Sequence, residues 1–281
     1  MTNLLKKTSL LWMCLLLLSR TQVFAGAWTQ EKGHFYAKLM GSRFEAEEFF
    51  DDTGTKVPIG NYDDLFEDLS TSFYMEYGLL DRLTVIFSLP AKQLTAENRF
   101  LVRETEGIGD VNLGAKYLLK GGGLVLSLMG NAKIPTGYEK SSESLLTAPP
   151  LGAGQVDVET KFLAGTSFYP IPAYVSGDIG FRARTEEFGN ELTYALELGY
   201  MIVDRALLKG SVAGVKSLAS DKDREEFDVL GIVDQDFFKL GPGIIFKITD
   251  NLEFDVLYDR TVSGKNTGAG TTYGVGLAYK Y

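Results

Sequence analysis

The C-terminal segment alternates residue by residue. Tyr273, Val275, Leu277, Tyr279 and Tyr281 are apolar or aromatic, while Thr272, Gly274, Gly276, Ala278 and Lys280 between them are small or polar. A period of two puts the first set on one face of a β-strand and the second on the other. The same pattern recurs upstream. Phe73, Met75 and Tyr77 alternate with Ser72, Tyr74 and Glu76, and Val156, Val158, Thr160 and Phe162 with Gln155, Asp157, Glu159 and Lys161. Leu192, Tyr194, Leu196, Leu198 and Tyr200 alternate with Glu191, Thr193, Ala195, Glu197 and Gly199. Twelve segments carry the alternation in strong or weak form.

The spacers alternate too. Short ones, such as Leu79-Leu80-Asp81, Gly121-Gly122-Gly123 and Thr249-Asp250-Asn251, follow the even-numbered segments and have tight-hairpin chemistry. Long polar ones follow the odd-numbered segments, at 43–68, 92–107, 135–154, 185–190, 217–236 and 262–270. A soluble sandwich has no reason to collect its long loops at one end. A transmembrane barrel has short periplasmic turns, long extracellular loops, an even strand count and strands of ~9–11 residues. Closure gives every backbone N–H and C=O a partner inside the bilayer and leaves no open edge. The expected fold is therefore all-β: one transmembrane antiparallel β-barrel of about twelve strands, with both termini on the short-turn side. Tyr77, Tyr117, Tyr200, Tyr279 and Tyr281 fall near the turn ends of outward faces, where an interfacial aromatic girdle belongs.

Composition sharpens this picture. The formal net charge of −9 argues against a nucleic-acid partner, which would call for a basic surface. One apolar run stands out, Leu10–Leu18, and it is too short to span a bilayer. Lys6 and Lys7 precede it, and Val23 and Ala25 occupy the two positions a signal peptidase reads. Residues 1–25 are thus expected to be a secretory signal peptide and 26–281 a single outer-membrane barrel. The only cysteine, Cys14, lies in the leader, so the remainder forms neither a disulfide nor a thiolate metal site.

The inward face carries the candidate chemistry. In this register Lys38, Lys116, Lys133, Lys161, Arg182, Lys209, Lys239 and Lys247 point to the lumen. So do Glu76, Asp110, Asp157, Glu159, Asp178, Glu191, Glu197, Glu253, Asp255 and Asp259. Tyr74, Tyr36, Tyr174, Ile86, Ile245 and Leu257 would make part of that lining amphipathic. Charges inside a barrel must be hydrated or paired. Two readings stay open: a narrow wet pore, which we favour, and a salt-bridged interior with a structural or surface-interaction role. The loops at 43–68 and 217–236 carry nine acids against two bases and seven against two, so a cation-favouring vestibule is one expectation. The other is a surface whose divalent ions bridge lipopolysaccharide phosphates.

Catalysis is not expected. The one histidine, His34, sits at the start of the first strand and is followed by Phe35 and Tyr36, without the serine two residues on that outer-membrane phospholipases use. Gly107-Ile108-Gly109-Asp110 and Gly152-Ala153-Gly154-Gln155 lead into strands rather than helices, so neither cradles a phosphate. Asp221-Lys222-Asp223-Arg224-Glu225-Glu226 begins like a calcium loop but lacks its glycine and its final glutamate. No cofactor or metal is expected. The partners implied are the lipid bilayer, lipopolysaccharide, the outer-membrane assembly machinery and a small-molecule solute.

Several short motifs occur in order: Gly26-Ala27-Trp28-Thr29-Gln30, Glu76-Tyr77-Gly78 with Asp81-Arg82-Leu83, Gly107 to Val111, Lys133-Ile134-Pro135-Thr136-Gly137-Tyr138, and Gly154-Gln155 with Asp157 and Glu159. Together they resemble the outer-membrane transporters associated with the meta-pathway of phenol degradation. The resemblance implies an outer-membrane barrel admitting small aromatic or other apolar compounds, and brings no catalytic residues with it. The ending Gly276-x-x-Tyr279-x-Tyr281 resembles the assembly signal of bacterial outer-membrane barrels.

Overall fold

A computed structural model of the chain describes residues 26–60, 64–138, 149–185, 188–218 and 235–281. Residues 1–25, where a leader is expected, and the acidic stretch 219–234 lie outside them. Sixteen strands follow in chain order: β1 (Phe35–Ala46), β2 (Glu48–Phe50), β3 (Lys56–Pro58), β4 (Leu65–Leu80), β5 (Leu83–Asn98), β6 (Leu101–Ile108), β7 (Val111–Lys120) and β8 (Leu124–Ile134). The rest are β9 (Asp157–Ser167), β10 (Ala173–Arg184), β11 (Glu191–Val203), β12 (Ala206–Ser217), β13 (Asp236–Lys247), β14 (Leu252–Lys265), β15 (Thr267–Gly268) and β16 (Thr271–Lys280).

Twelve of them, β1, β4, β5, β7 to β14 and β16, close into an antiparallel barrel, each paired with its neighbours in sequence. The seam joins the two ends of the chain: Tyr36 lies opposite Lys280 and Glu45 opposite Thr271. The expected alternation holds in space. Leu39, Leu69, Leu113, Phe162, Ile179, Leu198, Val275 and Leu277 are exposed on the outside, an apolar belt that suits lipid and not water. Thr84, Lys116, Ser127, Glu191 and Thr193 are wholly buried on the inside.

The outer end differs from the expectation. The loop placed at 92–107 is instead a continuation of the wall, since β5 runs to Asn98 and pairs with β6 from Ala91↔Ile108 to Asn98↔Leu101. The loop at 43–68 starts and ends in strand, and its middle, β2 and β3, forms a small sheet with β15, which lies within the expected loop 262–270. The cause is length. A strand of 16 residues, as in β4 and β5, reaches roughly 53 Å at ~3.3 Å per residue, well beyond a ~30 Å hydrocarbon core. The wall therefore stands above the membrane, where polar outward residues such as Thr71, Gln93 and Glu104 belong. Phe44, Phe66 and Leu94 from that raised wall pack with Phe49, Ile59 and Leu151 into an apolar cluster at the outer mouth.

Candidate functional site

The lumen has two unlike sides. Along β7 to β11 the inward charges lock together. Lys133 Nζ lies 3.3 Å from Asp110 and 2.7 Å from Asp157. Arg184 joins Asp157 at 3.6 Å to Glu191 at 2.7 Å. Arg182 continues from Glu191 at 2.6 Å to Glu159 at 3.1 Å, and Lys161 pairs with Asp178 at 3.0 Å. Thr193 donates a further hydrogen bond to Glu159 at 2.7 Å. Above this ladder the Tyr138 hydroxyl donates to Asp110 at 2.5 Å and accepts from the Gly154 N–H at 2.7 Å. Burial, and then the bond to Asp110, push the Tyr138 phenol above its ordinary range. Gly152 packs so closely on these two side chains that a Cβ there would lie 2.3 Å from the Tyr138 oxygen.

The opposite side is open. One cavity of about 380 Å³ runs against β1, β4 and β12 to β14. On β1 alone it touches Tyr36, Lys38, Met40, Ser42 and Phe44, a run of nine strand residues that spans ~26 Å. Four lysines (Lys38, Lys116, Lys209, Lys239) and six acids (Asp68, Glu76, Glu197, Glu253, Asp255, Asp259) line it. Lys92 beside Asp68 and Lys280 beside Glu253 bring the signs level. Lys38 pairs with Asp255 across the seam, and Lys209 lies 3.5 Å from Glu197. Tyr36, Tyr174, Phe44, Phe237 and Leu257 give the same surface an apolar component.

The sequence-derived residues therefore divide. Lys38, Tyr74, Glu76, Lys116, Glu197, Lys209, Glu253 and Asp255 line the cavity. Asp110, Lys133, Asp157, Glu159, Lys161, Asp178 and Arg182 point inward but into the ladder. Lys247 lies opposite Glu253 near the short-turn rim. Gly276 faces inward, where a Cβ would lie 3.1 Å from the side chains of Lys38 and Met40, while Tyr279 and Tyr281 are outward and exposed. His34 stacks on Tyr281 at 5.7 Å. Among the acids assigned to outer loops, Asp68 is buried inside the barrel, Glu67 pairs with Arg43 at 2.5 Å and Glu48 pairs with Lys56. Asp63, Asp221, Asp223, Glu225, Glu226, Asp228 and Asp234 lie outside the described residues.

Sequence reasoning missed Arg184, Asp68 and Lys92 as inward groups. It also missed where residues 26–30 go. They run inside the barrel, with Ala27 fully buried, and fill the short-turn end on the ladder side.

Residues 49–277 match the model of a family described as "Putative MetA-pathway of phenol degradation". A search of curated proteins gave no match. The COG4313 outer membrane channel from Pseudomonas putida F1 superposes with a TM-score of 0.69 at 15% identity, over 92% of this chain and 99% of that one. The KdgM porin, solved in complex with disordered oligogalacturonate, gives 0.50 at 8% identity, over 88% and 99%. These likenesses establish the fold of an outer-membrane barrel, and with the apolar belt they place the chain in that membrane.

Proposed function

The chain belongs to the phenol-degradation meta-pathway family, and from that premise we propose that it is a passive outer-membrane channel for small solutes with both an apolar face and polar groups. The observation that carries this reading is the elongated cavity along β1. Its lining mixes paired charges with tyrosine, phenylalanine and methionine, so a solute can exchange water for wall contacts without meeting a field of one sign. The ladder supports it from the other side, because it locks nine inward charges into the wall and out of the path. The neighbour's description as a channel agrees with the reading.

Liposome swelling with a panel of small aromatic and aliphatic solutes, beside planar-bilayer conductance, tests the proposal. We expect swelling with solutes that fit the cavity and small conductance steps. A folded barrel that passes neither ions nor solutes would leave the structural or surface-interaction reading in its place. The channel reading includes no catalytic step.

Three further proposals accompany it. The leader 1–25 is removed after Ala25, which suits Gly26 lying inside the lumen, and mass spectrometry of membrane-extracted protein should show that loss. The acidic outer loops contact lipopolysaccharide through divalent ions. The aromatic end of β16 is read by the assembly machinery.

A further inference from the structure

The cavity passes two levels at which opposite charges face each other. The inner one is closed: Lys38 pairs with Asp255, and Lys209 lies 3.5 Å from Glu197 and 4.0 Å from Asp255. The outer one lies four residues further along β14, or ~13 Å, and is open. Asp259 lines the cavity there and, among the described residues, takes neither a hydrogen bond nor an ion pair. The cations whose field reaches it are Lys239 and Lys209.

The wall is built around this carboxylate. β13 and β14 pair from Asp236↔Lys265 to Leu240↔Arg260 and again from Gly243↔Leu257, so the ladder lapses across Gly241-Pro242 and Tyr258-Asp259. Proline has no N–H to give, and a break of this kind re-aims the side chains beside it. Gly241 leaves the space in which Asp259 lies, since a Cβ there would stand 2.6 Å from its Oδ1. Phe44, Thr272 and Asp259 lie opposite one another across β1, β16 and β14. Lys239 joins that level from β13, its Nζ 5.0 Å from the Phe237 ring centre and 5.7 Å from that of Phe44. Two strands separate β13 from β1, so the ammonium meets the Phe44 ring through the lumen and not along the wall. Leu257, the next inward residue on β14, and Met40 complete the surroundings. They lean over Gly274, where a Cβ would lie 2.9 Å from the one and 3.2 Å from the other.

An acid and a lysine that face one lumen without bonding to each other select by pattern rather than by sign. A cation is drawn to Asp259 and repelled by Lys239, and an anion the reverse. A neutral apolar solute strips water from a carboxylate and returns no donor. A solute with both charges a few atoms apart gives its ammonium to Asp259, its carboxylate to Lys239 and its apolar part to Phe44, Phe237, Met40 and Leu257.

We propose that Asp259 and Lys239 form a binding station for small zwitterions with an apolar side chain, the chemistry of a free amino acid, and that Asp259 is its specificity-determining residue. The proposal rests on the channel reading and narrows its solute class.

Liposome swelling with leucine, leucinamide and isocaproate tests it, because the three share a carbon skeleton and carry both charges, the ammonium alone and the carboxylate alone. Glycerol gives the rate set by pore width, and protein-free liposomes give the leak. Leucine should enter roughly threefold or more faster than either analogue. In Asp259→Asn, confirmed as folded by heat-modifiable migration, the leucine-to-glycerol ratio should fall roughly threefold or more. Lys239→Gln should lower the same ratio, and it stands in if the first variant does not fold. Analogues that enter as fast as leucine, or a ratio unchanged in the variants that fold, would overturn the station and leave the channel reading standing. A folded wild-type barrel that admits none of the four solutes would overturn the channel reading and the station with it.

Discussion

The two sides of the lumen obey the same alternation and differ in what their charges meet. Along β7 to β11, Lys133, Arg184 and Arg182 each bridge two acids and Lys161 pairs with Asp178 on the next strand, with side chains 1% to 16% exposed. Along β1 and β12 to β14 the pairs are sparser, and Lys209 spans 3.5 and 4.0 Å to its two acids. Glycines and small residues, Gly243, Ser211 and Ala213 among them, take positions that carry charge on the other side. Inward polarity is therefore not enough to make a pore. A charge whose partners stand one strand away becomes part of the wall, and a path opens where small residues separate the charges.

The sharpest way to break this comparison is to open the ladder. Arg184→Ala leaves Glu191 and Asp157 buried without their bridge, and should cost about 3–5 kcal/mol of stability. Urea unfolding in lipid measures it. A loss no greater than that from Lys209→Ala would mean that the two sides are not energetically distinct.

Tyr281→Asp comes next. It removes the ring stacked on His34 and tilted against Phe35 at the seam and sets a charge at the interface. The folded fraction on a heat-modifiability gel should fall. A normal yield would detach the terminal aromatic from assembly.

On the open side, Lys209→Ala should cost about 1 kcal/mol or less, and Lys209→Glu should shift permeation instead. Reversal potentials at low salt should move toward cations, and the shift should shrink near about 1 M salt as screening shortens. Lys161→Glu, in the ladder, should lower stability and leave selectivity alone. A selectivity change from Lys161→Glu of the same size would place the path along the wrong wall. The smallest effect belongs to the raised rim. Glu67→Gln breaks an ion pair whose arginine is half exposed, and should change stability by about 0.5 kcal/mol or less.

Parity was legible in the sequence, and partnership was not. A period of two assigns Glu159 and Glu197 the same inward direction, yet Arg182 and Lys161 close on the first while the second faces the cavity. That difference arises from residues on other strands, which no local window contains. Arg184 was lost because the alternation was cut two residues early, at Arg182. Asp68 and Lys92 were lost because strands were expected to stop at membrane thickness, whereas the wall continues above it. The segment 26–30 has no period, and its partners lie 46 to 149 residues away. The motifs around Asp110, Lys133, Tyr138 and Gly154 proved to be mutual contacts at the top of the ladder, so their order in the chain carried spatial information that each alone did not.

The seam between β1 and β16 joins positions almost at opposite ends of the polypeptide, with the Phe35 N–H bonded to the Tyr281 carbonyl. Contacts of the greatest sequence separation carry the largest loop-closure cost and form late. A curved sheet still open at that edge leaves Thr84, Ser127 and Ser176, the hydrogen-bond partners of residues 26–30, within reach until the seam closes. The last joint to form is then the one that decides when the inside becomes an inside.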